Sequence, residues 1–279
     1  MPIHDQSYRR YGGGKAKPGA AWLVIARAGV MTMIRKRIFL GLMLLAWLPF
    51  VVQAVLVYAS TNFPQVAMLA PTAETFRNFL EQQNPFVFFV AIYVGAGLIA
   101  NDRRANALQI YLSKPLTRTE YIAGKAAVLF FFLMLVTWLP AMLLLLVQVM
   151  FAGNFQFVQK NLFLFPAITV ASLLQVILAT FTILALSSLS KSSRYVAILF
   201  AGVIFFTLAI FGFLAAVTGS TAMSWISPTE SAAQVRSVIF RLQPRYVTPW
   251  QVSLLVVLAF IAVSVSVLER RVRGVEVVT

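Results

Sequence analysis

The sequence predicts an all-α integral membrane protein with six transmembrane helices. Three observations predict it. Apolar residues make up 60% of the 279 residues and charged residues only 11%, against about 45–50% and about 25% in an ordinary soluble domain. Six charge-free apolar stretches run along the chain, and a hydrocarbon core of about 30 Å needs about 20 helical residues to cross it. Lysine and arginine cluster in alternate connecting segments. This composition argues against a soluble enzyme, a disordered chain and a nucleic-acid-binding domain, despite a formal net charge of +15.

Residues 1–19 read as a flexible basic tail. Trp22, Ile25, Ala26, Val30, Met33 and Ile34 recur at helical spacing within 20–37, which predicts a helix lying in the membrane interface. An extension of the first membrane helix is the alternative. The spans follow at about 38–59, 85–100, 126–151, 162–189, 195–217 and 250–268, with a short tail over 269–279. The first is longer than a signal-peptide core and reads as a retained span. The second is short, so it must extend at one end or sit where the protein thins the bilayer.

Several ends carry capping signals. Asn84-Pro85 and Thr248-Pro249 each read as an N-cap before a first-turn proline, where a missing N–H costs nothing. Thr117 and Glu120 have capping-box spacing at the start of the third span, as do Ser227 and Glu230 before an expected amphipathic helix over 228–242. That helix would rest on the outer leaflet or dip into it. Pro49, Pro140 and Pro166 predict kinks.

Lysine and arginine number 18 in the segments 1–37, 101–125, 190–194 and 269–279, and 5 in the alternate segments. The positive-inside rule then places both termini and the 101–125 loop in the cytoplasm. Topology and anionic lipid head groups account for the basic charge without nucleic acid.

No span contains Asp, Glu, Lys, Arg or His; His4 is the only histidine, and cysteine is absent. Intramembrane proteases and ion-coupled carriers place ionisable groups in the bilayer, so no catalytic, metal or cofactor site is expected. Gly124-Lys125 has Thr119 where a phosphate-binding loop requires glycine, so any ATP-driven work needs a motor on another polypeptide. Among the polar residues within spans, which include scattered Ser and Thr, Gln53, Gln148 and Gln175 are candidates for lining a pathway, with helix packing as the alternative role.

The loop after the second span is long and partly apolar. Gly95-Ala96-Gly97-Leu98-Ile99-Ala100-Asn101-Asp102-Arg103-Arg104 leads to Tyr111-Leu112-Ser113-Lys114-Pro115-Leu116-Thr117-Arg118 and Tyr121-Ile122-Ala123-Gly124-Lys125. This stretch, with six spans and cytoplasmic ends, resembles the ABC-2 type permeases, the membrane subunits of ATP-binding cassette exporters. Many members have Glu and a nearby Gly where this chain has Asp102 and Asn106. The resemblance implies a translocation pathway formed by two permease chains, identical or different, in a bacterial plasma membrane. It also implies a pair of cytoplasmic ATPase subunits that bind ATP and magnesium. It makes 101–118 the coupling helix, with Asp102, Arg103, Arg104, Leu108, Tyr111, Leu112, Ser113, Lys114, Pro115 and Arg118 as ATPase contacts. A non-transporting scaffold or assembly factor, and a lipid-modifying membrane enzyme, are the competing readings.

Overall fold

The computed structural model describes residues 21–63, 71–107, 117–152 and 161–272. Among these residues the secondary structure is entirely helical. Six helical stretches are long and apolar enough to cross a membrane: Arg37–Asn62, Ala73–Arg104, Arg118–Phe151, Leu164–Leu189, Ser193–Thr218 and Trp250–Arg271.

Helix α1 (Ala21–Ile34) is separate from the first span, because Lys36 adopts extended backbone at φ −89°, ψ 113°. It packs along the start of the third span. Two glycines permit that crossing. A Cβ on Gly124 would lie 2.8 Å from Ile25 Cβ and 2.9 Å from the Trp22 carbonyl oxygen, and one on Gly29 would lie 2.5 Å from a Val128 methyl.

The first span is two helices, α2 (Arg37–Ala46) and α3 (Leu48–Asn62), broken at Trp47 just before Pro49. The third is likewise two, α7 (Arg118–Val136) and α8 (Trp138–Ala152), broken at Thr137. Pro140 accounts for that break, since its ring excludes a helical bond to the Val136 carbonyl. Pro166 produces no kink. It lies in the first turn of α9 (Leu164–Leu189), which runs unbroken, and a first-turn proline forfeits no hydrogen bond.

The second span is longer than its apolar core. Helix α4 (Ala73–Gln82) precedes α5 (Asn84–Val90), a π-helical turn follows at Ala91–Gly95, and α6 (Ala100–Arg104) ends it. Asn84 is not an N-cap; Gln83 holds that position without a side-chain bond. The fifth and sixth spans are α10 (Ser193–Thr218) and α12 (Trp250–Arg271). Between them lies α11 (Pro228–Ile239), with Ser227 accepting the Glu230 N–H at 3.4 Å. Thr248 is not the cap of α12, since Pro249 stands there.

Spans two, three and four are 56–61% buried over their most apolar stretch, whereas spans one, five and six are 11–22% buried. The core therefore forms where Val90 and Val94 meet Leu129, Phe132, Leu133, Ile183 and Leu184. A second apolar cluster joins Phe76, Phe79 and Leu80 of α4 to Leu144, Ile168 and Phe240. The peripheral spans leave broad apolar faces for lipid or another chain.

Candidate functional site

Two polar regions lie at opposite ends of the bundle. The first, here called the basic end, gathers residues from α1, the second and third spans and the start of α10. Asp102 is its centre. Its Oδ2 lies 2.7 Å from Lys125 Nζ and accepts the Tyr121 hydroxyl at 2.7 Å. The two ionised side chains are only 14% and 19% exposed, so water screens their attraction less than at an open surface. The Thr117 capping box forms as expected and starts α7: Glu120 N–H reaches Thr117 Oγ1 at 3.2 Å, and Thr117 N–H reaches Glu120 Oε2 at 3.0 Å.

Span four closes the same joint. Where the second span leaves regular helix, Ser187 Oγ accepts the Ile99 and Ala100 N–H groups at 3.2 and 3.0 Å and donates to the Ala96 carbonyl at 2.9 Å. Arg103 donates to the Ser188 carbonyl. One serine thus satisfies three backbone groups that the break would leave orphaned.

Of the coupling-helix residues expected from the sequence, Asp102 and Arg103 turn inward to these partners, while Arg104 and Arg118 are exposed. Leu108, Tyr111, Leu112, Ser113, Lys114 and Pro115 lie outside the described residues. Beside the joint, a cavity of about 790 Å³ is bordered by Lys36, Asp102, Lys125 and Arg194.

The second region lies at the opposite end and was not legible in the span sequences. Gln175, midway along α9, donates to Asn84 Oδ1 at 2.7 Å and accepts from Arg236 Nη2 at 3.3 Å. Counting about 1.5 Å per residue from Leu164, Gln175 stands about 16 Å along its helix. A charge that α9 itself lacks is therefore brought beside its middle by α11. That helix is not surface-lying: Ser231, Ala232, Ala233, Gln234, Val235, Arg236 and Ser237 are consecutively buried, against α9, α10 and α12. Burial lowers the Arg236 pKa to about 10, opposed by the nearby Glu81 and Glu230 carboxylates, and it remains a cation at neutral pH.

The segment after α11 is held firmly. The Gln234 amide donates to the Tyr246 and Thr248 carbonyls at 3.0 and 2.8 Å, and its oxygen accepts the Tyr246 N–H at 2.9 Å. Arg241 ends the helix at φ 57° and places its guanidinium 4.5 Å from the centre of the Phe163 ring. Arg245 pairs with Glu81 at 2.8 Å. The Tyr246 hydroxyl donates to Glu230; its burial and that carboxylate both raise the Tyr246 pKa.

The three candidate pathway glutamines do not converge. Gln175 borders a cavity of about 400 Å³ between spans two, four and five and α11. Gln53 and Gln148 lie elsewhere, half-buried on α3 and buried on α8. Arg236, which also borders the cavity, was missed by reading only the spans. Its signal was a helix of small residues on every side, a pattern suited to close helix packing.

A family model described as ABC-2 family transporter protein matches residues 23–271. No curated protein matches the chain.

Proposed function

The chain belongs to the ABC-2 transporter family, and from that premise we propose that it is an exporter subunit driven through its basic end by separate ATPase subunits. At the coarser level it is a multi-pass membrane permease component of an ABC transporter. Permeases of this family are typically non-enzymatic and work with an ATP-binding cassette partner.

The observation that carries the proposal is the Asp102 joint. Asp102 ties the end of span two to the start of span three through Lys125 and Tyr121. Ser187 and the Ser188 carbonyl tie it to span four. A push on the segment 105–117 would then tilt three core spans together, the kind of rigid-element displacement that switches a packed bundle between two states. In this mechanism Asp102 and Arg103 transmit force, while Arg104, Arg118 and the 108–115 stretch meet the ATPase. ATP and magnesium stay on that partner. The basic end faces the cytoplasm of a bacterial plasma membrane, as the 18-to-5 charge asymmetry supports. A second permease chain, identical or related, covers apolar faces of the peripheral spans.

Co-purification tests the assignment. Replacing Tyr111→Asp and Leu112→Asp together abolishes recovery of the ATPase with the permease, while the permease still inserts and purifies. Unchanged recovery contradicts it.

A further inference from the structure

The cavity between spans two, four and five and α11 has two chemically distinct parts. Phe88, Phe205, Leu208 and Phe260 supply apolar wall. Asn84, Gln175 and Arg236 form one connected polar corner. Its volume of about 400 Å³ falls in the range of about 300–1,000 Å³ found for small-molecule sites.

Arg236 is only 3% exposed, and its Nη1 has no hydrogen-bond partner. Neighbouring charges leave it so. Arg77 pairs with Glu74, and Arg245 with one oxygen of Glu81; the other, Oε1, is buried without a hydrogen bond, and neither oxygen pairs with Arg236. Glu230 also borders the cavity, but it accepts the Tyr246 hydroxyl and stands six residues, about 9 Å, along the helix axis. No carboxylate forms an ion pair with Arg236 among the described residues. A buried guanidinium with an unused donor is costly unless something accepts from it.

We propose that this cavity binds a single-chain amphiphile whose anionic head, a carboxylate or a phosphate, accepts from Arg236 while its hydrocarbon chain lies among the phenylalanines. Arg236 Nη2 already has its acceptor in Gln175, so the head completes the guanidinium at Nη1. Gln175 is in turn held by Asn84, which fixes the guanidinium for its ligand. The aromatic walls take the chain without a polar demand of their own. As the substrate class of the permease, this inference rests on the exporter reading; as a binding site, it stands on the cavity alone.

The test is photo-crosslinking of the full chain in phosphatidylcholine nanodiscs, with a diazirine-bearing palmitate as probe and mass spectrometry to locate the products. Adducts should map to peptides containing Phe88 or Phe205. Palmitate or hexadecyl phosphate should compete, the stronger competitor identifying the head, and hexadecanol should not. Arg236→Gln should cut labelling about tenfold or more, the expected loss for one charge-assisted hydrogen bond. Thr207→Trp, which fills the cavity without touching the polar corner, should abolish labelling in a protein of unchanged size-exclusion profile. Equal competition by the alcohol, or undiminished labelling of Thr207→Trp, overturns the proposal. Should Arg236→Gln fail to fold, acid-over-alcohol discrimination and Thr207→Trp decide it. A chain that binds the acid but recruits no ATPase keeps the site and loses the exporter reading; one that recruits an ATPase without preferring the acid does the reverse.

Discussion

The two ends of the bundle use their polar groups in opposite ways. At the basic end Asp102, Lys125, Tyr121 and Ser187 are matched to one another or to backbone. At the far end Arg236 Nη1, Glu81 Oε1 and both amide atoms of Gln83 are buried without partners. Matched groups make a stiff connection, whereas unmatched ones raise the free energy of the empty state and leave interactions for a ligand to complete. The contrast fits a molecule pushed at one end and loaded at the other.

Removing a partner at the stiff end should have the largest effect. Asp102→Ala strands the Lys125 ammonium of a partly buried pair and should destabilise the chain by about 2–3 kcal/mol, at or below the lower limit for a fully buried pair. Thermal unfolding in detergent measures it. A loss below about 1 kcal/mol, typical of an exposed pair, would show that water screens the joint as freely as an open surface. Ser187→Ala comes next. Leaving buried N–H groups unmatched costs about 1–3 kcal/mol, and amide exchange should accelerate locally over residues 96–104.

Arg236→Gln should have the smallest effect on stability. Burial holds the folded pKa near 10, below the ordinary guanidinium range, so the folded state disfavours this charge. That penalty is complete below pH 10 and is relieved only as pH rises above it. At neutral pH, neutralising the side chain should leave the melting temperature unchanged or raise it, even as ligand labelling falls. A melting temperature that drops as far as in Asp102→Ala would erase the distinction between the two ends.

The contrast also explains what could be read from residues in order. The six spans were legible because each is a long apolar run that only a membrane or a large core can accommodate. The breaks near Pro49 and Pro140 and the Thr117 cap were legible because their causes are local. The break in span two was not. No proline marks it, and it is stabilised by Ser187, some 90 residues on. Whether α11 rests on a surface or lodges among its neighbours was left open for a related reason. Ala232, Val235, Val238, Ile239 and Leu242 suggested one apolar face, but Ser231, Ala233 and Ser237 are small enough for the other face to be buried too. Arg236 gained its depth from tertiary packing that no span pattern contains.

The cysteine-free chain allows the most direct measurement of the division between the ends. Tyr111→Cys in the 105–117 segment and Trp225→Cys, exposed between α10 and α11 at the far end, are each introduced alone and co-expressed with the ATPase subunit. They are then treated with a short bifunctional maleimide crosslinker. The 111 variant should yield a permease–ATPase adduct that the 225 variant does not. An adduct from position 225 and none from 111 would place the motor at the wrong end and contradict the mechanism.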